Sequence, residues 1–163
     1  MKKSFLCFII GCASIATLHA QTAAKAVYAE IGGPGLASVN FDTRFTKAEN
    51  GFGGRIGIGG FSVSDGLGDH VGIVTIPVGI NYLLGKDGKN YFELGAGFTY
   101  VGGKASSDGG DSGNFSTSFG NLTFGYRLAP KNGGFFFKAQ ITPVFNRIGF
   151  IPYYGGLGFG YKF

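Results

Sequence analysis

Tyr153-Tyr154-Gly155-Gly156-Leu157-Gly158-Phe159-Gly160-Tyr161-Lys162-Phe163 is the stretch that decides the fold. Its odd positions carry Leu157, Phe159, Tyr161 and Phe163, and its even positions carry glycine and one charge, Lys162. A repeat of two is the signature of a β-strand with two unlike faces. The same alternation recurs towards the N-terminus. It predicts strands over residues 135–145, 118–128, 91–101, 72–84, 52–61, 37–45 and 26–31, eight with the last at 153–163. Many are nine to eleven residues long, the length a tilted strand needs to cross a bilayer. Pro77 and Pro143 cannot donate to a ladder, so bulges or fraying are expected at both.

Dividing the strands by parity separates the side chains cleanly. One face runs from Val27, Ala29 and Ile31 through Val74, Ile76, Val78 and Ile80 to Phe159, Tyr161 and Phe163, with no charge on it. The other gathers glycines, hydroxyls and amides with Glu30, Asp42, Arg44, Arg55, Glu93, Arg127, Lys138 and Lys162. A soluble barrel also alternates, with its apolar face inward. Here the apolar face is bulky and aromatic and the charged face is crowded with glycine, and a small eight-stranded lumen has room only for the latter. Eight charges of mixed sign are also few for a face in open water. The connections alternate too: 46–50, 85–90 and 129–134 are short, and 62–71, 102–117 and 146–152 are longer. Short periplasmic turns and longer outer loops form the outer-membrane pattern. The exception is 32–36, which reads as an unusually short outer loop. Phe45, Phe52, Tyr82, Phe92, Tyr126, Phe135, Tyr161 and Phe163 lie beside the short turns or the chain end, as an interfacial girdle would. The expected fold is therefore all-β, an eight-stranded antiparallel up-and-down transmembrane β-barrel.

The first twenty residues read differently. Met1-Lys2-Lys3, the apolar run Phe5 to Ile10 and Leu18-His19-Ala20 have the layout of a secretory signal peptide. The expected organisation is a signal peptide over 1–20 and a barrel domain over 21–163. Ile9-Ile10-Gly11-Cys12 also resembles a lipobox, which makes Cys12 a candidate lipidation site. Cys7 and Cys12 both lie in this leader, so the barrel segment carries no disulfide, thiol nucleophile or cysteine metal ligand. Fourteen Lys and Arg less Lys2 and Lys3 leave twelve against nine Asp and Glu, a net +3. That is too weak and scattered for nucleic acid.

The closing motif resembles the terminal signal by which outer-membrane proteins reach the barrel-assembly machinery. The resemblance implies an assembly signal made by Leu157, Phe159, Tyr161 and Phe163. Residues 21–163 as a whole resemble the small eight-stranded class typified by the OmpA and OmpX barrels. Residues 79–85 and 93–97 are similar to segments in small barrels of Bacteroidota. The resemblance implies insertion in the cell outer membrane of a Gram-negative bacterium, with lipid and lipopolysaccharide as surroundings. It implies no activity.

Little chemistry is on offer. His70 has Asp69, Ser62, Ser64 and Asp65 near it in sequence, which could serve acyl transfer, but a glycine- and serine-rich loop is the simpler reading. Asp108 and Asp111 are too few for a calcium loop. No catalytic residue, cofactor or metal is expected. The interior charges are expected to pair as a plug, and a narrow channel or small-ligand barrel is the alternative. The expected role is structural or interactive, through the outer loops; a lipid-modifying enzyme stands last.

Overall fold

The computed structural model describes residues 23–64, 70–106 and 112–163. The leader with Cys7 and Cys12, and Asp65, Asp69, Asp108 and Asp111, lie outside the described residues. The strands are β1 (Lys25–Gly32), β2 (Ala37–Arg44), β3 (Gly51–Ser64), β4 (His70–Leu84) and β5 (Asn90–Ser106). They continue as β6 (Ser112–Leu128), β7 (Gly134–Ile141), β8 (Val144–Phe145), β9 (Phe150–Ile151) and β10 (Gly155–Lys162).

Eight of the ten strands make the barrel wall. Each of β1 to β6 pairs antiparallel with the next, β6 pairs with β7, β7 with β10, and β10 with β1. The seam sets Ala26 opposite Lys162 and Ile31 opposite Leu157. Beyond the last strand, Phe163 N–H donates to Lys25 C=O at 2.9 Å and Lys25 N–H to Phe163 C=O at 3.2 Å. Closure leaves no free edge along this seam, which a phenylalanine-rich sheet would otherwise offer to other chains. Burial is inverted relative to a water-soluble protein. Phe124 and Phe159 are 42% and 47% exposed on the outside, whereas Arg127 and Glu93 are 2% and 1% exposed within. The girdle aromatics lie on the outer face, with Phe52 edge-on to Tyr82 at 4.7 Å.

Four sequence expectations need correction. First, the strand expected over 135–145 is two, β7 and β8, broken at Thr142–Pro143 because proline there has no ladder donor. β8 carries on β7's pairing with β6 in one register, from Phe124↔Ile141 to Gly120↔Phe145, so the break is the fraying expected at Pro143, and β8 and β9 prolong the wall as a short hairpin. Second, β4 runs unbroken through Pro77, which stays in register with Thr99 of β5. The missing N–H costs pairing on the β3 side alone, between Ile56↔Val78 and Gly59↔Thr75, and the register is the same on either side of that gap. There is no bulge. Third, the long connections at 62–71 and 102–117 are strand at both ends, because β3–β4 and β5–β6 keep pairing out to Ser64↔His70 and Ser106↔Ser112. Fourth, 32–36 is not a surface loop. It turns into the lumen.

In the short 85–89 turn Asp87 accepts hydrogen bonds from the Asn90 side chain at 2.6 Å and from the Asn90 and Lys89 N–H groups at 2.7 and 3.0 Å. These donors hold its carboxyl down at about 2. Asp87 is therefore ionised, and a full acceptor for these donors, at any pH well above 2.

Candidate functional site: the filled lumen and the outer rim

Inward parity brings the charged side chains of six strands into one column. Arg127 on β6 is its centre. Its Nη1 and Nη2 donate to Asp42 Oδ1 and Oδ2 at 2.9 and 3.0 Å, and its Nε donates to Glu93 Oε2 at 2.7 Å. Lys138 Nζ donates to Glu93 Oε1 at 2.8 Å. Arg44 Nη2 donates to Asp42 Oδ1 at 2.6 Å and also to Asn81, and Asn81 Nδ2 donates to Asp42 Oδ2 at 2.6 Å. The paired fork geometry is the strongest form a carboxylate contact takes. Glu30 stands apart, higher in the lumen. Its Oε2 accepts from Gln140 at 3.3 Å and from Arg55 at 3.4 Å, both long bonds.

Glycine makes this column possible. A Cβ at Gly53 would lie 2.2 Å from the Arg44 guanidinium, and one at Gly57 would lie 2.3 Å from Asn40 Oδ1. The small residues of the inward face are the space that the arginines and amides occupy.

Below the charges is an apolar floor of Ala26, Leu83, Tyr91, Ala129 and Phe136, with Tyr28 stacked on Phe136 at 4.8 Å. Arg127 lies over the Phe136 ring at 5.2 Å, which couples floor to charge. Lys162 leaves the column. It pairs with Glu49 in the 45–50 turn and donates to Pro130 C=O at 2.8 Å. Glu49 was not among the sequence candidates, since a turn residue has no strand parity to betray it. The space recorded at this inner end amounts to about 10 Å³, which holds one water at most.

Above the charges is a lid. The 3-10 turn Gly33–Gly35 is wholly buried in the mouth. Thr99 Oγ1 donates to Pro34 C=O at 2.8 Å and Thr75 Oγ1 to Gly35 C=O at 2.7 Å. Gly32 and Gly33 have φ of 73° and 65°, and Leu36 follows at 66°, a value leucine adopts only under constraint. Gly-Gly-Pro-Gly supplies the backbone for an inward reversal with no side chain to clash.

Beyond the lid the wall changes character. On β3, β4, β5 and β6 the last outward apolar residues are Ile58, Val74, Tyr100 and Leu122; farther out the same faces carry Ser62, Gly72, Lys104 and Ser116. The side that faces the lumen lower down becomes apolar, with Phe61, Val63, Ile73, Phe115 and Phe119. The outward belt from Phe92 to Tyr100 spans about 20 Å of barrel height at ~3.4 Å per residue and a ~40° tilt. This approaches the ~25 Å apolar band of such barrels, and the reversal marks where that band gives way to water.

His70 faces Ser64 and Ser106 across the ladders near the hairpin ends. Among the described residues no group of three His, Cys, Asp or Glu is placed to hold a metal. Leu157, Phe159, Tyr161 and Phe163 form an exposed outward stripe on the closing strand.

A closed eight-stranded antiparallel barrel with an apolar outside and a charged, buried inside belongs to the outer-membrane type, and its place is the cell outer membrane. Two solved structures are similar to it. One is the N-terminal β-barrel domain of Pseudomonas aeruginosa OprF, with a TM-score of 0.57 and 16% identity over 86% of this chain and 96% of that one. The other is Ail, the attachment invasion locus protein of Yersinia pestis, in complex with the heparin analogue sucrose octasulfate. It has a TM-score of 0.54 and 15% identity over 86% of this chain and 97% of that one. At such identities the likeness establishes the fold. No family model and no curated protein matches the sequence.

Proposed function

We propose that this protein is a barrel closed to ions, whose eight interior charges serve as a structural plug and whose work is done at the outer surface by the β3–β4 and β5–β6 hairpins and the rim. The observation that carries this reading is the succession of floor, charge column and lid along one axis. A path for water would have to break the Arg127 fork and also expel Gly33–Gly35. Buried charges that pair this closely favour a rigid core over a pore, because separating them leaves ions unsolvated. The stripe of Leu157, Phe159, Tyr161 and Phe163 would engage the barrel-assembly machinery during insertion, by pairing at an open sheet edge.

Ail is seen with a sulfated polyanion, but the hairpins here favour a different partner. Their residues 62–71 and 102–117 include Asp65, Asp69, Asp108 and Asp111 against Lys104 and His70. That balance repels sulfate.

Planar-bilayer recording tests the closed core. The unmutated protein is expected to give no conductance steps of porin size at either polarity. Stable open steps that persist on dilution would reject the plug and establish a channel.

A further inference from the structure

We propose that the outer rim binds one acyl chain of a phosphate-bearing lipid from the outer leaflet, with Arg147 placed on the headgroup. A cavity of about 410 Å³ lies beside the lid, lined chiefly by Leu36, Phe119, Val144, Ile148, Phe150 and Ile151. Its volume is at the low end of small-molecule sites, ~300–1,000 Å³, and its walls offer little but carbon. Such a lining selects a hydrocarbon chain and gives a sugar or peptide nothing to hold.

Three observations name the source of that chain. The cavity is continuous with the lipid-facing belt: the Phe145 ring covers Gly120 on the outward side, where a Cβ would lie 2.3 Å from it, and Phe150 pairs beside Phe145. The wall is also uneven. β3 to β6 are 14 to 17 residues long, whereas β1, β2, β7 and β10 have eight each. The cavity is lined by the β8–β9 hairpin and its turn, on the low side of this wall. On the low side Ile148 is 93% exposed and Tyr153 89% exposed. Large apolar groups left that open at a membrane surface are covered by lipid.

The third observation is charge. Asn146 Oδ1 accepts the N–H groups of Ile148 and Gly149 at 2.8 and 2.9 Å, which fixes the turn and holds Arg147 outward. Arg147 takes part in none of the ion pairs among the described residues. Arg147 does not line the cavity, but its chain neighbours Asn146 and Ile148 do, and a guanidinium carried at that edge suits a phosphate joined to an acyl chain.

This deepens the outer-surface reading, and the two fail separately: ion conductance would sink the closed core without touching lipid capture. Native mass spectrometry of the full chain, recovered from membranes in detergent, tests it with dimyristoyl phosphatidic acid and dimyristoylglycerol as probes. One dominant one-to-one adduct with the phosphatidic acid is expected. Ile148→Glu should lower its occupancy about tenfold or more, as burying a charge in place of an isoleucine requires. Arg147→Ala should weaken the phosphatidic acid about 3- to 5-fold and leave the glycerol unchanged, the scale of one exposed ion pair. Both side chains are exposed, so a heat-modifiable gel shift should show both variants folded. Adducts that ignore both substitutions, or no dominant stoichiometry, would overturn the proposal. So would a dimer mass abolished by Ile148→Glu, which would make a second copy the occupant.

Discussion

Arg127→Ala is expected to destabilise the barrel by about 3–5 kcal/mol, the cost of stranding buried charges by removing their partner. Asp42 loses both bonds of its fork, and Glu93 keeps only Lys138 of its two cations. Arg44 remains on Asp42, so a folded protein should still be recovered. Urea titration of the folded band in detergent reads the effect. Asp42→Asn added to Arg127→Ala should recover part of the loss, because it removes one of the stranded charges. A loss below about 1 kcal/mol would mean that water already solvates these groups, and the lumen would then be wet rather than filled.

The lid yields the second large effect. Gly33→Ala should cost about 2–4 kcal/mol, combining a left-handed backbone with overpacking. Its Cβ would lie 2.4 Å from Gln140 Nε2 and 2.7 Å from Glu30 Oε1. Gly51→Ala separates the two causes. Gly51 has φ of 89° but nothing within 4 Å of its Cβ position, so only the backbone penalty of about 1 kcal/mol applies. Thermal unfolding by gel shift should rank Gly33→Ala well below Gly51→Ala. Equal melting temperatures would mean that the lid is not seated against Glu30 and Gln140.

Parity made most of the barrel legible. A side-chain period of two assigns faces without knowledge of register, which is why Tyr28, Tyr91 and Phe136 could be read as inward despite being aromatic. What parity cannot reach is backbone that leaves the strand. Gly32 to Leu36 lies between two predicted strands, and its shortness suggested a tight outer turn. Only the positive φ values at Gly32, Gly33 and Leu36 let the chain dive inward. The hairpin extensions were missed for a different reason. Gly102, Gly103, Gly113, Ser106 and Ser112 have low strand propensity, yet a ladder already formed below extends through them, since sheet pairing outweighs local preference. The polarity reversal beyond Ile58 and Tyr100 is present in the sequence, but there the apolar residues change parity with respect to the belt, so a single period-two face does not extend through it. Parity puts Lys162 on the inner face but names no partner for it. Its stem reaches past the floor to Glu49, a reach that strand parity does not encode.

The central claim is that the aromatic face meets lipid and the charge column fills the inside. The chain has no tryptophan, so single replacements report cleanly. Phe124→Trp, Phe159→Trp and Phe115→Trp should be placed one at a time in bilayers whose acyl chains carry bromine. The account predicts blue-shifted, strongly quenched emission at 124 and 159, and little quenching at 115, above the hydrocarbon. Unquenched emission at 124 and 159 from folded protein would contradict it, because those rings would then be buried in a protein core rather than facing the bilayer.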